Sequence, residues 1–310
     1  MRSKIFILLF LALVPEMPAA QHEMPDRLRQ LLQNAPPLAV DRIELTVDPT
    51  VKLEGISALS ADQQGNIYVI YRPSNGDPIV VLDRQGKLIR SWGDGMFKIP
   101  HGIRLDSAGN VWTVDAQTSK VYKFTPEGKK LLEIDVGGIP DKSREFCGAT
   151  DVSIAPSGHV FVTDGYCNAR VVDYDADGIR VREWGKHGTG PSEFNLVHSI
   201  AISPQGNLYI ADRENGRVQW FDQSGRYLGE WDYGGQLHSL AFSRTGAFYA
   251  VLHPKDAAPD RESYVVQIDL ATGKIVGKLE TRSHELSVAP DGTLLPATRD
   301  SHLVLFKPRK

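Results

Sequence analysis

The chain has 310 residues, 41% of them hydrophobic and 24% charged, which is ordinary for a globular protein able to bury a real core. A formal charge of −3 and the lack of any basic cluster argue against nucleic acid as a partner.

The chain opens with Arg2 and Lys4, then the apolar run Ile5 to Val14, then Met17-Pro18-Ala19-Ala20 before Gln21. An apolar run of about ten residues is too short to span a bilayer and fits a secretory signal peptide, expected over residues 1–20. No cysteine lies near the cleavage region, so a lipid anchor is not expected. The mature chain should be secreted or periplasmic, without stable membrane insertion. Residues 21–37 are polar and proline-bearing. They read as a leader on the outside of the fold, with one short helix, Asp26 to Asn34, ending before Pro36-Pro37.

From Leu38 onward the pattern is strand and turn, and residues 38–310 read as one unit. A glycine turn and strand start recurs at Gly65-Asn66-Ile67-Tyr68, Gly109-Asn110-Val111-Trp112, Gly158-His159-Val160-Phe161, Gly206-Asn207-Leu208-Tyr209, Gly246-Ala247-Phe248-Tyr249 and Gly292-Thr293-Leu294-Leu295. Successive glycines lie 44, 49, 48, 40 and 46 residues apart. A period of about 40–50 residues, rich in β-branched and aromatic residues, predicts an all-β, six-bladed β-propeller with one blade per repeat. The second repeat is typical. Its strands are expected at His101 to Leu105, Asn110 to Asp115, Lys120 to Phe124 and Lys130 to Ile134. Trp92-Gly93 and Trp184-Gly185 end their outer strands in the manner of NHL-type repeats. The sixth repeat ends at Phe306 and Lys307 without a fourth strand. The alternating segment Asp41 to Val47 is expected to supply it, closing the ring and leaving no open sheet edge.

Cys147 and Cys167, both in the third repeat, are the chain's two cysteines. In an exported protein an isolated pair is expected to form a disulfide. It would tie the turn Asp164-Gly165-Tyr166-Cys167-Asn168 to the start of its own blade, with Tyr166 over the channel mouth.

At the start of each innermost strand the sequence places Gly55 or Ile56, His101, Thr150-Asp151, His198, His238 and His284. His101, His198 and His284 each sit eight residues before an anchor glycine, in the second, fourth and sixth repeats. Alternate blades of a six-bladed ring lie about 120° apart, so three equivalent histidines can converge on the axis. Three imidazoles with an open fourth position are a catalytic zinc arrangement. Ordered water in a polar channel is the plainer alternative. His238 breaks the alternation and reads as a channel-lining residue. Near the same end lie Tyr166, Arg72 of the first repeat and Arg213 of the fourth. Arginine charge favours the phenolate of a nearby tyrosine and so a role in proton transfer. Taken singly, the plainer reading is that Tyr166 caps its blade and Arg213 pairs with a turn carboxylate.

The segments Phe146 to Val152, Val162 to Arg170, Val197-His198-Ser199 and Ala211-Asp212-Arg213-Glu214-Asn215-Gly216-Arg217 closely resemble the peptidyl-α-hydroxyglycine α-amidating lyases, the second catalytic domain of peptidylglycine α-amidating monooxygenase. The resemblance runs from about Gly55 to the end, strong in repeats two to four and weak in five and six. It implies zinc on His101, His198 and His284, Tyr166 as base, and Arg72 and Arg213 around the substrate. It also implies a structural calcium held by Glu285 and the carbonyls of Ile103 and Ile56. The expected reaction is carbon–nitrogen cleavage of a peptide or small α-hydroxyglycine-like substrate by a monomer.

Three departures from that family's pattern stand out. Arg282-Ser283-His284-Glu285 replaces Met-Pro-His-Asp, bringing a charge and a longer carboxylate. Tyr209 and Trp220 stand where the family has a second disulfide. No copper monooxygenase segment accompanies the propeller, so a hydroxylated substrate is expected from elsewhere. One rival reading is a non-catalytic NHL propeller that binds a protein or peptide and holds only a structural metal. The other, a lactonase-like hydrolase, uses carboxylate and amide oxygens around calcium, and the histidine ring argues against it.

Overall fold

The computed structural model describes residues 27–138, 141, 143–255, 262–298 and 302–309. The expected signal peptide and the first expected helical residue, Asp26, lie outside them. Six antiparallel sheets of four strands each follow one another along the chain. Blade 2 comprises Pro100–Leu105, Val111–Asp115, Lys120–Phe124 and Lys130–Asp135, running from the axis outward. The innermost strands of the other blades are Ile56–Ala61, Asp151–Ile154, Val197–Ile202, Gln236–Phe242 and Ser283–Val288. All six anchor glycines have φ between 81° and 90°, a conformation that only glycine adopts without strain, which explains their recurrence.

Blade 6 is completed from the far end of the chain. Val40–Leu45 pairs antiparallel with Leu303–Pro308, with Val40 opposite Pro308 and Leu45 opposite Leu303. The closing strand expected from the alternation of residues 41–47 is therefore present.

Among the described residues there are six apolar clusters, and each fills the seam between two neighbouring blades. Alternation along the strands is the cause: successive side chains of one blade face opposite neighbours, so every blade is apolar on both faces. The short helix Arg27–Gln33 joins the seam between blades 4 and 5, burying Leu28 and Leu32, one turn apart, against Tyr233 and Leu237. Arg29 anchors it through a two-pronged ion pair with Glu262, 3.0 Å in each arm. The leader thus lies on the outside of the propeller but is packed into it.

Tyr209 and Trp220 stand directly opposite each other on neighbouring strands of blade 4. Their rings stack at 6.0 Å and 18°, and Trp231 lies 4.3 Å from Trp220. An aromatic cross-strand pair occupies the place where the resembled family has a covalent link.

Candidate active site and metal centre

Five of the six innermost strands slip register where they begin. The residues without a direct partner are Ser57, His101 with Gly102, His198, His238 and His284. A bulge frees a side chain from strict alternation and re-aims it, here out of the seams and into the channel. In blade 1 Ser57 takes the ring position, rather than Gly55 or Ile56, because the slip falls between Ile56 and Ala58. In blade 3 the ring residue is the buried Thr150, whose hydroxyl donates to Val197 O at 2.8 Å.

The three expected histidines come together. Their ring centroids lie 5.3 Å (His101–His198), 5.9 Å (His101–His284) and 4.9 Å (His198–His284) apart. One ligand atom from each, with one carboxylate oxygen of Glu285, falls within 4.8 Å of the others. His238 packs beside them, 4.7 Å from His284, and belongs to the channel wall. Its two ring nitrogens have no hydrogen-bond partner.

The tautomers of two rings are set by main-chain acceptors. His101 Nδ1 donates to Thr150 O at 2.7 Å and His198 Nδ1 to His238 O at 2.6 Å. Each Nε2 therefore offers a lone pair. Both face the phenolic oxygen of Tyr166, at 2.8 Å from His101 and 3.3 Å from His198. A phenol carries one proton and cannot donate to both, so the cluster is short of positive charge where the nitrogens meet. A cation answers that shortage, and neutral imidazoles suit zinc. The donor set fits the metal. Burial, then Arg72, pushes the His101 pKa down to about 3, and burial, then His284, holds His198 well below its usual value. Both stay neutral, as ligands must.

Tyr166 is held by its turn. Cys147 and Cys167 are bridged, with sulfurs 1.97 Å apart. Buried Asp164 accepts from Asn168 Nδ2 at 2.9 Å and from Arg170 Nε at 2.8 Å, closing the turn from below. The Tyr166 ring packs on Phe146 at 5.0 Å, and the guanidinium of Arg72 lies over the other ring at 5.2 Å. Arg72, Tyr166, Arg213 and His284 are all partly exposed, so the cluster opens to solvent on this side. In the matching turn of blade 4, Asp212 is clamped by Asn215 and Arg217, leaving Arg213 beside it. Arg213 pairs with Glu214 at 2.6 Å. Arg282 is exposed.

Below the histidines lies a layer that sequence reading did not anticipate. Arg104, from blade 2, reaches across the channel. Its guanidinium takes both oxygens of Asp151 in blade 3, at 3.1 and 2.6 Å, and donates to Leu286 O of blade 6 at 3.3 Å. It stands 3.7 Å from Glu285 Oε2, which also accepts from Ser239 Oγ at 2.7 Å. Glu285 Oε1 faces His198 Nδ1 at 3.4 Å. Burial, then the Asp151 charge, raises the Glu285 pKa well above the usual carboxylate range, and Arg104 opposes this. Ile56 and Ile103 sit in the same region with their side chains in the seams. The signal for Arg104 was available: a charged residue three positions after a ring histidine, in a strand otherwise apolar.

A model of the NHL repeat matches residues 146–174 and 194–221. A probable peptidyl-alpha-hydroxyglycine alpha-amidating lyase of Caenorhabditis elegans is 27% identical over 293 residues, covering 83% of this chain and 83% of that protein. Peptidyl-glycine alpha-amidating monooxygenase B of Xenopus laevis is 27% identical over 302 residues, and the match spans only 34% of its length. In mouse monooxygenase the match covers 16% of the protein, at 39% identity. Among solved structures, a streptogramin B lyase superimposes with a TM-score of 0.63 over 87% of this chain and 98% of its own, at 13% identity, which is a likeness of fold. The name of the Caenorhabditis elegans relative, like those of two Drosophila melanogaster relatives at 31% and 37% identity, indicates a carbon–nitrogen lyase.

Proposed function

We propose that this homologue of the peptidyl-α-hydroxyglycine α-amidating lyases is a zinc-dependent lyase of the same type, cleaving a C-terminal α-hydroxyglycine to a peptide amide and glyoxylate. One observation carries the reading: the Tyr166 oxygen stands 2.8 and 3.3 Å from the free nitrogens of two ring histidines. That is within reach of any group held at the open side of the cluster. A propeller that used its metal only for structure would have no need of such a group there.

Zinc, when held by His101, His198 and His284, supplies a Lewis acid for the substrate's hydroxyl and carboxylate. Tyr166 takes the hydroxyl proton. As the N–Cα bond breaks, its electron pair goes to nitrogen, the C–O bond becomes the aldehyde of glyoxylate, and the proton on Tyr166 passes to nitrogen to complete the amide. Arg72 and Arg213 hold the substrate carboxylate from the first and fourth blades. Arg213 would exchange Glu214, its present partner, for that carboxylate. We further infer export, since the Cys147–Cys167 bridge suits an oxidising compartment. Among the described residues no helix is long and apolar enough to cross a membrane.

The test combines metal analysis with glyoxylate release from an α-hydroxyglycine-extended peptide. Wild type should hold one zinc, and His198→Ala should lose it while keeping the propeller fold. Tyr166→Phe should keep zinc and lose about 10²–10⁴-fold in rate. Equal, slow release by wild type and Tyr166→Phe sinks the proposal and favours the binding-module reading.

A further inference from the structure

The resemblance brings a calcium expectation, and the layer beneath the histidines does not fit it. The carboxylate meant for calcium, Glu285, already has a cation at its side, the Arg104 guanidinium at 3.7 Å. The other acid facing this space, Asp151, is fully engaged. It takes two guanidinium nitrogens, the Ser199 hydroxyl at 2.8 Å and the amide of Ile200 at 3.3 Å. Arg104 is only 15% exposed in its side chain, and Asp151 and Glu285 are 1% and 3% exposed. In so dry a place a dication beside a guanidinium meets strong like-charge repulsion.

We propose that Arg104 replaces calcium in this protein, serving as a built-in cation that neutralises the lower channel and ties blade 2 to blades 3 and 6 across the axis. The covalent attachment matters. A calcium ion binds three blades only while it is present, whereas Arg104 arrives with its own strand. The planar fork matches Asp151 with two parallel bonds and still has a nitrogen left for the Leu286 carbonyl, a geometry lysine cannot reproduce. Ser199 and Ser239 extend the same layer. Their hydroxyls donate to Asp151 and Glu285 and accept from the amides of Leu240 and Leu286. The layer therefore runs unbroken through blades 2 to 6. Arg104 is a positioning residue: by fixing Glu285 it sets the carboxylate that faces the outer nitrogen of His198.

The proposal stands or falls independently of lyase activity, because its readouts are calcium content and thermal stability. Purified wild type, desalted from buffer containing calcium chloride, should carry no stoichiometric calcium. Its melting temperature should be the same in EGTA and in millimolar calcium. Arg104→Ala should melt at least about 3 °C lower, and calcium chloride should recover part of that loss by taking the vacated place. Arg104→Lys, which keeps the charge without the fork, should fall between the two and stay insensitive to calcium. One tightly held calcium in wild type, or a clear fall of its melting temperature in EGTA, overturns the proposal. So does an Arg104→Ala protein as stable as wild type. If Arg104→Ala does not fold, the wild-type and Arg104→Lys measurements decide.

Discussion

Gly165→Ala should disable the site without touching a ligand or Tyr166 itself. Gly165 precedes Tyr166, and its backbone lies against the residue before His198. A Cβ at Gly165 would stand 1.8 Å from Val197 O and 2.7 Å from Val197 N. Real Cβ atoms essentially never approach closer than 3.0 Å, so turn and strand must part by more than about 1 Å. The φ of Gly165 lies outside the left-handed region, so the expected effect is one of close approach. Overpacking of this kind costs about 1–3 kcal/mol. The displacement falls where the Tyr166 oxygen meets His101 and His198 at 2.8 and 3.3 Å, distances that leave no slack. Misplacing a reacting group by about 1 Å costs on the order of 10²-fold in rate. Glyoxylate release should therefore drop about a hundredfold, zinc content should hold, and the urea midpoint should fall modestly. A variant with full rate and unchanged midpoint would show that the Tyr166 turn is not positioned by its contact with the His198 strand.

Replacing Cys147 and Cys167 together by alanine removes a closure of 20 residues, worth about 3.3 kcal/mol on loop entropy, which urea melts should report. An unchanged midpoint refutes it. In the zinc-free protein, His101 stays neutral down to about pH 3, while the unfolded chain takes up its proton near 6.5. Stability should then fall as pH drops through that window, by up to about 1.4 kcal/mol per unit for each such histidine, with His198 and His238 acting in the same direction. Urea melts of stripped protein at pH 7 and 5 check this, and equal midpoints contradict it.

The repeat made most of the fold legible. The anchor glycines need a backbone that other residues avoid, so their spacing survives in the sequence even where the strands between them diverge. The closing strand was legible for the same local reason, because Asp41 to Val47 alternates whatever its partner. The three histidines could be found by counting from those glycines. The bulges that turn them inward could not be read, since strands buried on both faces carry no alternation whose phase a one-residue slip would shift. That is why the ring residue of blade 1 was misplaced by one or two positions, from Ser57 to Ile56 or Gly55. Arg104 stood out in its strand, but its role could not be read. Its partners, Asp151 and Leu286, lie 47 and 182 residues away, and only the closed ring brings them together. The pairing of Arg213 with a turn carboxylate is the plainer of its two sequence readings, and it is seen with Glu214, because a long side chain at a mouth takes the nearest carboxylate.

The seam between Val40–Leu45 and Leu303–Pro308 has a further consequence for how the protein matures. His284 belongs to the sheet that this seam completes, so the first strand to leave the ribosome must wait for almost the last. Until they meet, only His101 and His198 are in place, and the proposed metal site lacks its third histidine. On the proposed zinc assignment, capture of the third ligand is a proofreading event, and tight metal uptake would report that both ends of the chain have found each other. Under the same proposal, metal supply would govern how fast the ring locks, because binding free energy gained only in the closed ring is folding free energy.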